Sequence, residues 1–351
     1  MKSNGEMVLV TGGSGFLGGW CVIELLRQGY EVRTTVRELA KEPELRSRFE
    51  PEVDAGDRLT VLAADLTKDD GWREAVAGAD YVLHVASPFP PSQPKDPDEL
   101  IIPAREGTLR VLRAALEAGV KRVVVTSSVA AVRQPAAPPD GPIDEESWTD
   151  LHRELTPYTR SKTVAEMAAW ELVREHAEED RLAVVNPGAI LGPVLADDLS
   201  YSLEVIERML KGMPGVPNLG FSFVDVRDVA KLEILAMTSP KAGGERFIAA
   251  DRYLWMAEVA AILRDRLDER AAKAPTRSVP NFVVRVMALF DGGLKTIVGD
   301  LGKRVEVSSE KARSMLGWTP MPVEDSIADT AEALIAHGSV PEPVVDSGQR
   351  A

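Results

Sequence analysis

The chain has 351 residues, of which 44% are hydrophobic, and its formal net charge is −14 at pH 7. This length predicts one large or two modest domains, and the acidic balance argues against broad binding to nucleic acids or anionic membranes. The single cysteine, Cys21, excludes an intrachain disulfide and favours a reducing compartment, and the four histidines lie too far apart for a short-range metal motif.

The first residues, MKSNGEMVLV, lack the basic patch and long apolar stretch of a signal peptide. No run of 18 apolar residues occurs in the chain, so no membrane span is predicted. We therefore expect a cytoplasmic protein that binds no metal and no nucleic acid.

Short apolar runs alternate with helical patterns through the first two thirds of the chain. The runs are apolar or β-branched almost throughout, which is typical of parallel strands that are covered on both faces. Helices are predicted between them, for example over 15–28 and 100–118. The pattern predicts an α/β, Rossmann-type doubly wound parallel sheet over 1–188. The predicted strands are 7–10, 31–36, 59–64, 81–86, 122–127 and 182–187.

The pattern changes after about residue 188, where helical segments dominate. We predict a smaller, mostly helical substrate-binding region over 189–338, and the return of some of its strands to the first domain stays open. Residues 339–351 have no periodic apolar pattern and are predicted to be a flexible tail. The predicted helices here are 200–212, 226–238, 255–268, 308–316 and 323–337, with short strands at 221–226 and 245–249.

A glycine-rich turn follows the first predicted strand. Gly12, Gly15 and Gly18 stand between that strand and a helix. One glycine permits the tight turn, one lets a pyrophosphate approach the backbone, and one lets the helix pack closely on the strand. The N-terminus of the helix, at Phe16 and Leu17, then offers free N–H groups to the phosphates. A plain tight turn is the alternative, but the flanking strand and helix favour dinucleotide binding.

The end of the second predicted strand indicates which nicotinamide nucleotide is bound. An NAD site usually has an acidic residue there, whereas this chain has Arg37, nineteen positions after Gly18. Arginine can pair bidentately with a 2′-phosphate, and we expect Lys41 to assist, so the predicted cofactor is NADPH/NADP+. Glu38 leaves the strictness of this preference open, and a surface arginine at a strand end is the alternative interpretation.

Tyr158 and Lys162 stand four residues apart at the predicted start of a long helix, and therefore share one face. A cation beside a phenol favours the phenolate and lowers its pKa from about 10. Such a phenol can donate a proton to a carbonyl or accept one from an alcohol. A surface helix that happens to carry both residues is the alternative. The fifth predicted strand ends in Thr126-Ser127-Ser128, and ligands bind beyond the carboxyl ends of parallel strands, so one serine is expected at the site.

The TGxxGxxG turn and the Ser…Tyr-x-x-x-Lys set resemble the extended branch of the short-chain dehydrogenases/reductases. Further stretches resemble its dihydroflavonol-4-reductase-like group of NADPH-dependent aldehyde and ketone reductases, and together they cover about residues 7–337. These stretches are GFLGGW (15–20), TTVR (34–37), HVASPF (84–89), YTRSKTVAE (158–166), NPGAILGP (186–193), FVDVRDVA (223–230) and LGWTP (316–320).

The resemblance implies a role for each residue of the set. Ser128 is expected to hold the carbonyl oxygen, Tyr158 to protonate it, and Lys162 to lower the pKa of the phenol and bind the nicotinamide ribose. Asp65 and Leu66 would contact the adenine, although a helix N-cap before 67–77 is the alternative for Asp65. The other implied cofactor contacts are Val85, Ala86 and Ser87, Thr126, Pro187, Gly188 and Ile190.

The substrate pocket departs from the family pattern. Arg133 stands where plant dihydroflavonol reductases carry an asparagine implicated in substrate choice, which argues against flavonoid reduction. Val129 and Ala130 replace the acidic pair of sugar-nucleotide dehydratases, and Val132-Arg133 replaces the SxxxYG tyrosine of many sugar epimerases. An apolar pocket is predicted, although many of these residues are equally typical of core. Its apolar candidates are Phe89, Ile190, Leu195, Met209, Met213, Phe221, Met287 and Phe290, and Arg133 is a further candidate substrate contact.

These features predict an NADPH-dependent carbonyl reductase that acts on a small-molecule aldehyde or ketone and catalyses the reverse alcohol oxidation. An NAD-dependent nucleotide-sugar epimerase or hydroxysteroid-type dehydrogenase is the first alternative. A non-catalytic NADP(H)-sensing protein is the second. Monomer and homodimer both stay open, with the predicted helices 97–118 and 157–178 as a candidate interface.

Overall fold

The computed structural model describes residues 5–88, 96–137, 139–195, 201–290 and 292–340. The strands lie close to their predicted positions, and two of them, at 31–36 and 182–187, have the predicted bounds. The strands are β1 (Met7–Thr11), β2 (Glu31–Val36), β3 (Leu59–Ala63), β4 (Tyr81–His84), β5 (Arg122–Thr126), β6 (Leu182–Pro187), β7 (Ala189–Leu191), β8 (Val216–Pro217), β9 (Gly220–Asp225), β10 (Glu245–Ala249), β11 (Arg252–Trp255) and β12 (Ser278–Val279).

The helices also follow the predicted order, with additional short helices at 42–49, 281–287 and 292–297. None of the described helices combines the length and apolar composition needed to cross a bilayer. The helices are α1 (Phe16–Gln28), α2 (Glu42–Phe49), α3 (Trp72–Val76), α4 (Asp98–Glu117), α5 (Pro157–Glu175), α6 (Tyr201–Lys211), α7 (Val226–Thr238), α8 (Met256–Leu267), α9 (Asn281–Met287), α10 (Gly292–Ile297), α11 (Glu310–Leu316) and α12 (Val323–Ala336).

The predicted helix over 67–77 is wrong in its first half. Asp65 accepts hydrogen bonds from the N–H and the hydroxyl of Thr67, which closes a turn instead of a helix. Gly71 then has φ 87°, a left-handed conformation that a helix does not contain. The helix therefore begins only at Trp72.

The main sheet has the order β10-β6-β5-β4-β1-β2-β3, and all of its paired strands are parallel. This confirms the predicted doubly wound sheet. The order reverses between β1 and β4, and the carboxyl ends of β1, β4 and β5 lie at this point. Ligands of such sheets bind in the crevice at the reversal, so the topology places the glycine turn and the ends of β4 and β5 at one site.

Two apolar cores cover the two faces of this sheet. Helices α4 and α5 pack against each other on one face, where Leu112 and Val173 are fully buried. Helices α1 and α7 pack on the other face, where Ile23 and Leu232 are fully buried. The sheet is therefore apolar on both sides, as its continuous apolar strands predict.

A third core lies in the C-terminal part, among α6, α8 and α12 and beside the small sheet β11-β9-β7. Strand β10 and helix α7 belong instead to the main sheet and its covering layer, although both lie within 189–338. The division into 1–188 and 189–338 stays a prediction, and the 339–351 tail lies almost entirely outside the described residues.

Trp318 joins the C-terminal segment to the main body. Its ring is 2% exposed and packs in the core that contains α1 and α7. Its Nε1 donates a hydrogen bond of 2.9 Å to the carbonyl oxygen of Asp228 on α7. The side chain of Asp228 in turn accepts a 2.7 Å hydrogen bond from the N–H of Met321. These contacts fix the segment that leads into α12.

Trp318→Ala should lower the free energy of unfolding by about 3–5 kcal/mol, because a large buried ring is replaced by a cavity. Leu289→Ala, at a side chain that is 78% exposed, should change it by less than about 0.5 kcal/mol. Urea denaturation measures the free energy of unfolding of both variants. It is followed by circular dichroism of the backbone, because the substitution removes a tryptophan. Equal stabilities of the two variants would show that Trp318 does not hold the segment to the core.

Candidate active site

The glycine turn has the geometry of a phosphate cradle. Gly12 has φ +74°, and a Cβ on it would lie 2.9 Å from Cα of Ala86. A Cβ on Gly18 would lie 2.2 Å from the carbonyl oxygen of Gly12, so close helix–strand packing also requires glycine there. Helix α1 begins at Phe16, after the exposed residue Gly15, with no side-chain cap and no acidic residue in its first turn. Its first N–H groups therefore remain available to an anion.

Cationic side chains surround this turn. Arg37 and Lys41 are exposed at the carboxyl end of β2. The pKa of Asp65 is lowered, chiefly by the hydrogen bond from the Thr67 N–H, and the charge of Arg37 contributes. This places Arg37 beside Asp65, with both at the expected edge of the sheet. Arg48, which the sequence did not identify, donates a 3.3 Å hydrogen bond to the carbonyl oxygen of Ser14.

Nothing in the sequence around Arg48 distinguishes it from an ordinary surface residue. It lies on α2, a helix that is unusually polar and was not predicted, and it also pairs with Glu44. Leu45 of the same helix, together with Arg48, faces a cavity that includes Ser14 and Gly15. Arg48 is therefore a further cation at the phosphate cradle.

The structure brings Ser128, Tyr158 and Lys162 together. Tyr158 is in the first turn of α5, which Thr156 caps by accepting a 3.1 Å hydrogen bond from the N–H of Thr159. Ser128 follows β5, and its hydroxyl hydrogen-bonds to the phenol of Tyr158, which affects the phenol's pKa. The Nζ of Lys162 donates to the main-chain oxygen at the end of β5, 3.3 Å away.

The pKa values differ from the expectation. Burial raises the pKa of Tyr158, and the hydrogen bond from Ser128 only partly opposes this. Burial also lowers the pKa of Lys162 to about 8, against the charges of Glu166 and Glu233. Lys162 does not lower the pKa of Tyr158 in this structure, because desolvation dominates both groups. The predicted lowering beside an oxidised nicotinamide stays a prediction. The phenol retains its proton at neutral pH, as a proton donor requires.

Glu166 fixes the ends of the strands around this set. Its buried carboxylate accepts hydrogen bonds from the Ser127 hydroxyl at 2.5 Å, from Asn186 Nδ2 at 2.8 Å and from Arg246 Nε at 2.6 Å. Asn186 Nδ2 also donates to the carbonyl oxygen of Ser128 at 3.2 Å. Ser127 is thus directed into the network, and Ser128 towards Tyr158. The sequence contained one signal for Glu166, its position one helical turn after Lys162.

The segment 85–87 begins at another buried hydrogen bond. His84 Nδ1 lies 2.8 Å from Oγ1 of Thr11, which accepts a 3.0 Å hydrogen bond from the N–H of Ala86. Burial, with a contribution from Lys162, lowers the pKa of His84 to about 3, so the ring is neutral. The pair fixes Val85, Ala86 and Ser87 where β1 and β4 end, beside the glycine turn.

The other predicted cofactor contacts lie around the same edge. Leu66 is partly buried and packs on Gly107 of α4. Pro187 is buried at the end of β6, and the N–H of Gly188 donates a 2.9 Å hydrogen bond to the carbonyl oxygen of Ala249. The Thr126 hydroxyl faces away from the site, towards α7. Ile190 lies on β7, where its carbonyl oxygen accepts from the hydroxyl of Ser202 at 2.6 Å.

Several predicted pocket residues lie elsewhere. Met209 is 0% exposed within the core of the C-terminal part, so its prediction as a lining residue is wrong. Its helix packs against α12, which covers it. Met287 is 49% exposed and Phe290 is 90% exposed, and both are therefore surface residues. Phe89 lies outside the described residues.

The remaining candidates are partly buried. Leu195 packs against Gly19 of α1 and borders the cavity at the glycine turn, on the phosphate side. Met213 packs on the C-terminal core, and Phe221 meets Phe223 edge to face at 6.1 Å.

Arg133 forms an ion pair of 2.6 Å with Asp300. Its charge is therefore partly neutralised. Among the described residues, no cluster of histidine, cysteine, aspartate or glutamate could hold a metal ion.

Comparison with known proteins agrees with this geometry. Residues 8–250 match the model of the NAD dependent epimerase/dehydratase family. Cinnamoyl-CoA reductase CAD2 of Medicago truncatula is 35% identical over 342 residues, which cover 94% of this chain and 96% of that protein. Tetraketide alpha-pyrone reductase 2 of Arabidopsis thaliana is 35% identical over 266 residues, 74% of this chain and 82% of that protein.

A solved structure is similar over almost the whole chain. Yeast methylglyoxal/isovaleraldehyde reductase Gre2, complexed with NADPH, has a TM-score of 0.79 and 26% identity, with 95% of this chain and 100% of that chain covered. The family model matches well over half of the chain, and the resemblance expected from the motifs is confirmed. The chain belongs to the NAD dependent epimerase/dehydratase family, and within it to the extended short-chain dehydrogenases/reductases of the dihydroflavonol-reductase-like group.

Proposed function

We propose that the protein is an NADPH-dependent reductase of aldehyde or ketone carbonyl groups. The observation that carries this proposal is the convergence of Ser128, Tyr158 and Lys162 at the end of β5, next to the glycine turn. The curated relatives are reductases, and the similar yeast reductase was crystallised with NADPH, which supports the same reaction class. The protein is an oxidoreductase that acts on carbonyl or CH–OH groups.

The residues of the cradle fit a dinucleotide phosphate. The N–H groups at the start of α1 would hold the pyrophosphate, because Gly12 and Gly18 leave no side chain between it and the backbone. Arg37, with Lys41, would hold the 2′-phosphate, and Arg48 would add positive charge at the turn. When bound, NADPH supplies the hydride.

The catalytic residues then act on the carbonyl oxygen. Ser128 donates a hydrogen bond to that oxygen, and Tyr158 donates the proton that converts it to a hydroxyl. The raised pKa of Tyr158 keeps this proton in place at neutral pH. Lys162 holds the nicotinamide ribose, and its position is fixed by the carbonyl oxygen of Thr126.

The substrate is tested with a panel of carbonyl compounds. NADPH and NADH oxidation is followed by absorbance with cinnamoyl-CoA, methylglyoxal, isovaleraldehyde, α-ketoesters, aryl ketones and a dihydroflavonol. Cinnamoyl-CoA, methylglyoxal and isovaleraldehyde are included because similar reductases are named after them. NADPH-dependent turnover of any aldehyde or ketone in the panel supports the proposal, whereas turnover of cinnamoyl-CoA alone would show reduction of a thioester instead. Absence of turnover, together with NAD retained by the purified protein, would instead favour a nucleotide-sugar enzyme.

Tyr158→Phe should lower kcat by about 10²–10⁴-fold, because the phenylalanine ring has no proton to donate. NADPH should still bind, since the cradle is unchanged, and fluorescence titration of the cofactor checks this. Tyr81→Phe is the matched control, because Tyr81 lies at the opposite end of β4, where its hydroxyl contacts Glu6. Retained turnover in Tyr158→Phe would rule out the proposed proton donor.

Arg37→Asp should shift the kcat/KM ratio for NADPH over NADH by about 10- to 100-fold towards NADH, since a charge-assisted hydrogen bond contributes about 1.5–3 kcal/mol. Arg73→Asp makes the same charge change at a side chain that is 90% exposed on α3, and it should leave the ratio unchanged. Steady-state kinetics with both cofactors measures the ratio. An unchanged preference in Arg37→Asp would show that this residue does not contact the 2′-phosphate.

A further inference from the structure

Helix α9 and the turn after it hold large apolar side chains in solvent. Four of these side chains recur at the spacing of one helical face. They are Phe282, Val286, Leu289 and Phe290, whose exposed fractions are 68%, 55%, 78% and 90%. The smaller residues Val284 and Ala288 are buried instead. The helix therefore points its smaller apolar side chains inwards and its larger ones outwards, which is the reverse of a helix that only covers a core.

The four exposed side chains form one surface, which we call the α9 patch. Its two phenylalanine rings alone expose about 300 Å² of apolar area. Soluble proteins rarely expose contiguous apolar area of this size or larger unless it binds a partner. Elsewhere in the described chain, the large exposed hydrophobic residues Leu39 and Ile102 lie singly on different elements. The α9 patch is therefore a candidate interaction surface.

Two cations without partners flank the α9 patch. Arg285 lies on α9, one helical turn after Phe282, and Lys295 lies on α10, which packs against α9. Both residues are exposed. Neither forms a hydrogen bond or an ion pair with any residue in the described part of the chain. Their charges are therefore available to an anionic partner.

The segment around the patch is basic, although the chain as a whole is acidic. Residues 273–306 contain six basic and three acidic residues, a net charge of +3, whereas the net charge of the whole chain is −14. Two of the three acidic residues, Asp300 and Glu306, are paired with arginines. Positive charge thus coincides with the exposed apolar surface.

This combination favours the surface of an anionic bilayer as the partner. Exposed aromatic and aliphatic side chains with cations beside them are typical of helices that lie in the membrane interface. The net charge of −14 repels the rest of the protein from such a bilayer, so the basic segment is the part that can approach it. The acidic balance argues against broad membrane binding, and this patch is a local exception to it.

A second copy of the chain fits the patch less well. Two identical patches placed face to face would bring Arg285 and Lys295 of one copy close to the same cations of the other. Stable interfaces also bury about 800 Å² on each partner, which is more than these four side chains expose. A bilayer needs no such matched area, because single side chains insert into it.

The patch is also connected with the candidate substrate region. Helix α10 contacts the segment Val298–Asp300, and Asp300 forms the ion pair with Arg133. Arg133 stands five residues after Ser128. Docking at the patch would therefore hold this region close to the bilayer, in which apolar carbonyl compounds dissolve.

We propose that the α9 patch docks the protein on bilayers that contain anionic lipid. Phe282 and Phe290 enter the boundary between headgroups and acyl chains, and Arg285 and Lys295 contact the anionic headgroups. The docking does not depend on the proposed function, because it uses none of the catalytic residues.

The test is sedimentation of the protein with vesicles of phosphatidylcholine, either alone or mixed with phosphatidylglycerol. The wild type should bind the mixed vesicles, and this binding should weaken as the salt concentration rises. Phe282→Ser with Phe290→Ser should weaken it by at least about 10-fold, because the apolar surface that enters the bilayer is lost. Arg285→Gln with Lys295→Gln should weaken it by about 10- to 30-fold at low salt and remove most of its salt dependence.

Ile102→Ser with Arg73→Gln is the matched control. It removes an apolar side chain that is 54% exposed on α4 and a cation that is 90% exposed on α3, two elements that do not carry the patch. Its binding to the vesicles should equal that of the wild type. Circular dichroism and NADPH binding check that each variant is folded.

Four results are decisive. Failure of the wild type to bind the mixed vesicles would overturn the proposal, as would equal binding by the wild type and the phenylalanine variant. Equal binding to neutral and mixed vesicles would overturn the role of the two cations. A dimer in sedimentation velocity that the phenylalanine variant loses, without vesicle binding, would assign the patch to a second copy of the chain. Absence of carbonyl reduction by a protein that binds the vesicles would contradict the proposed function alone.

Discussion

The burial of one carboxylate organises the catalytic edge of this sheet. Glu166 is placed by α5, the helix that also carries Tyr158 and Lys162, and its hydrogen bonds reach β5, β6 and β10 through Ser127, Asn186 and Arg246. A buried charge is tolerated only when it is paired and hydrogen-bonded. The hydrogen bonds that Glu166 needs therefore fix the register between α5 and the strand ends, and the position of Ser128 relative to Tyr158 follows from it.

The same burial determines the chemistry of the site. Desolvation raises the pKa of Tyr158 and lowers that of Lys162, so each group is biased towards its neutral form. A protonated phenol suits the reduction of a carbonyl, whereas the ammonium form of Lys162 would strengthen its proposed contact with a ribose. The two requirements conflict in one desolvated site. Negative charge close to Lys162 but away from the phenol is a way to meet both.

The sequence was sufficient for the sheet and the glycine turn and for placing Ser128, Tyr158 and Lys162 close together, because each depends on local patterns. Apolar runs and their spacing predict parallel strands, and Tyr158 and Lys162 share a face at any helix position. It was insufficient for Met209 and Arg48. An apolar residue has the same sequence pattern in a core and in a pocket, and nothing in the sequence distinguishes an arginine near the glycine turn from one far from it. The direction of the Tyr158 pKa shift was also out of reach, since desolvation depends on tertiary packing.

Glu233 belongs with these tertiary effects, because its sequence context is that of an ordinary amphipathic helix. A hydrophobic residue at the same depth would avoid the cost of a buried, half-satisfied carboxyl group. Local rules that a chain violates without a compensating contact are expected at functional sites. Thr126 lies between Glu233 and Lys162. Its hydroxyl contacts Glu233 on one side of the sheet, and its carbonyl oxygen contacts Lys162 on the other.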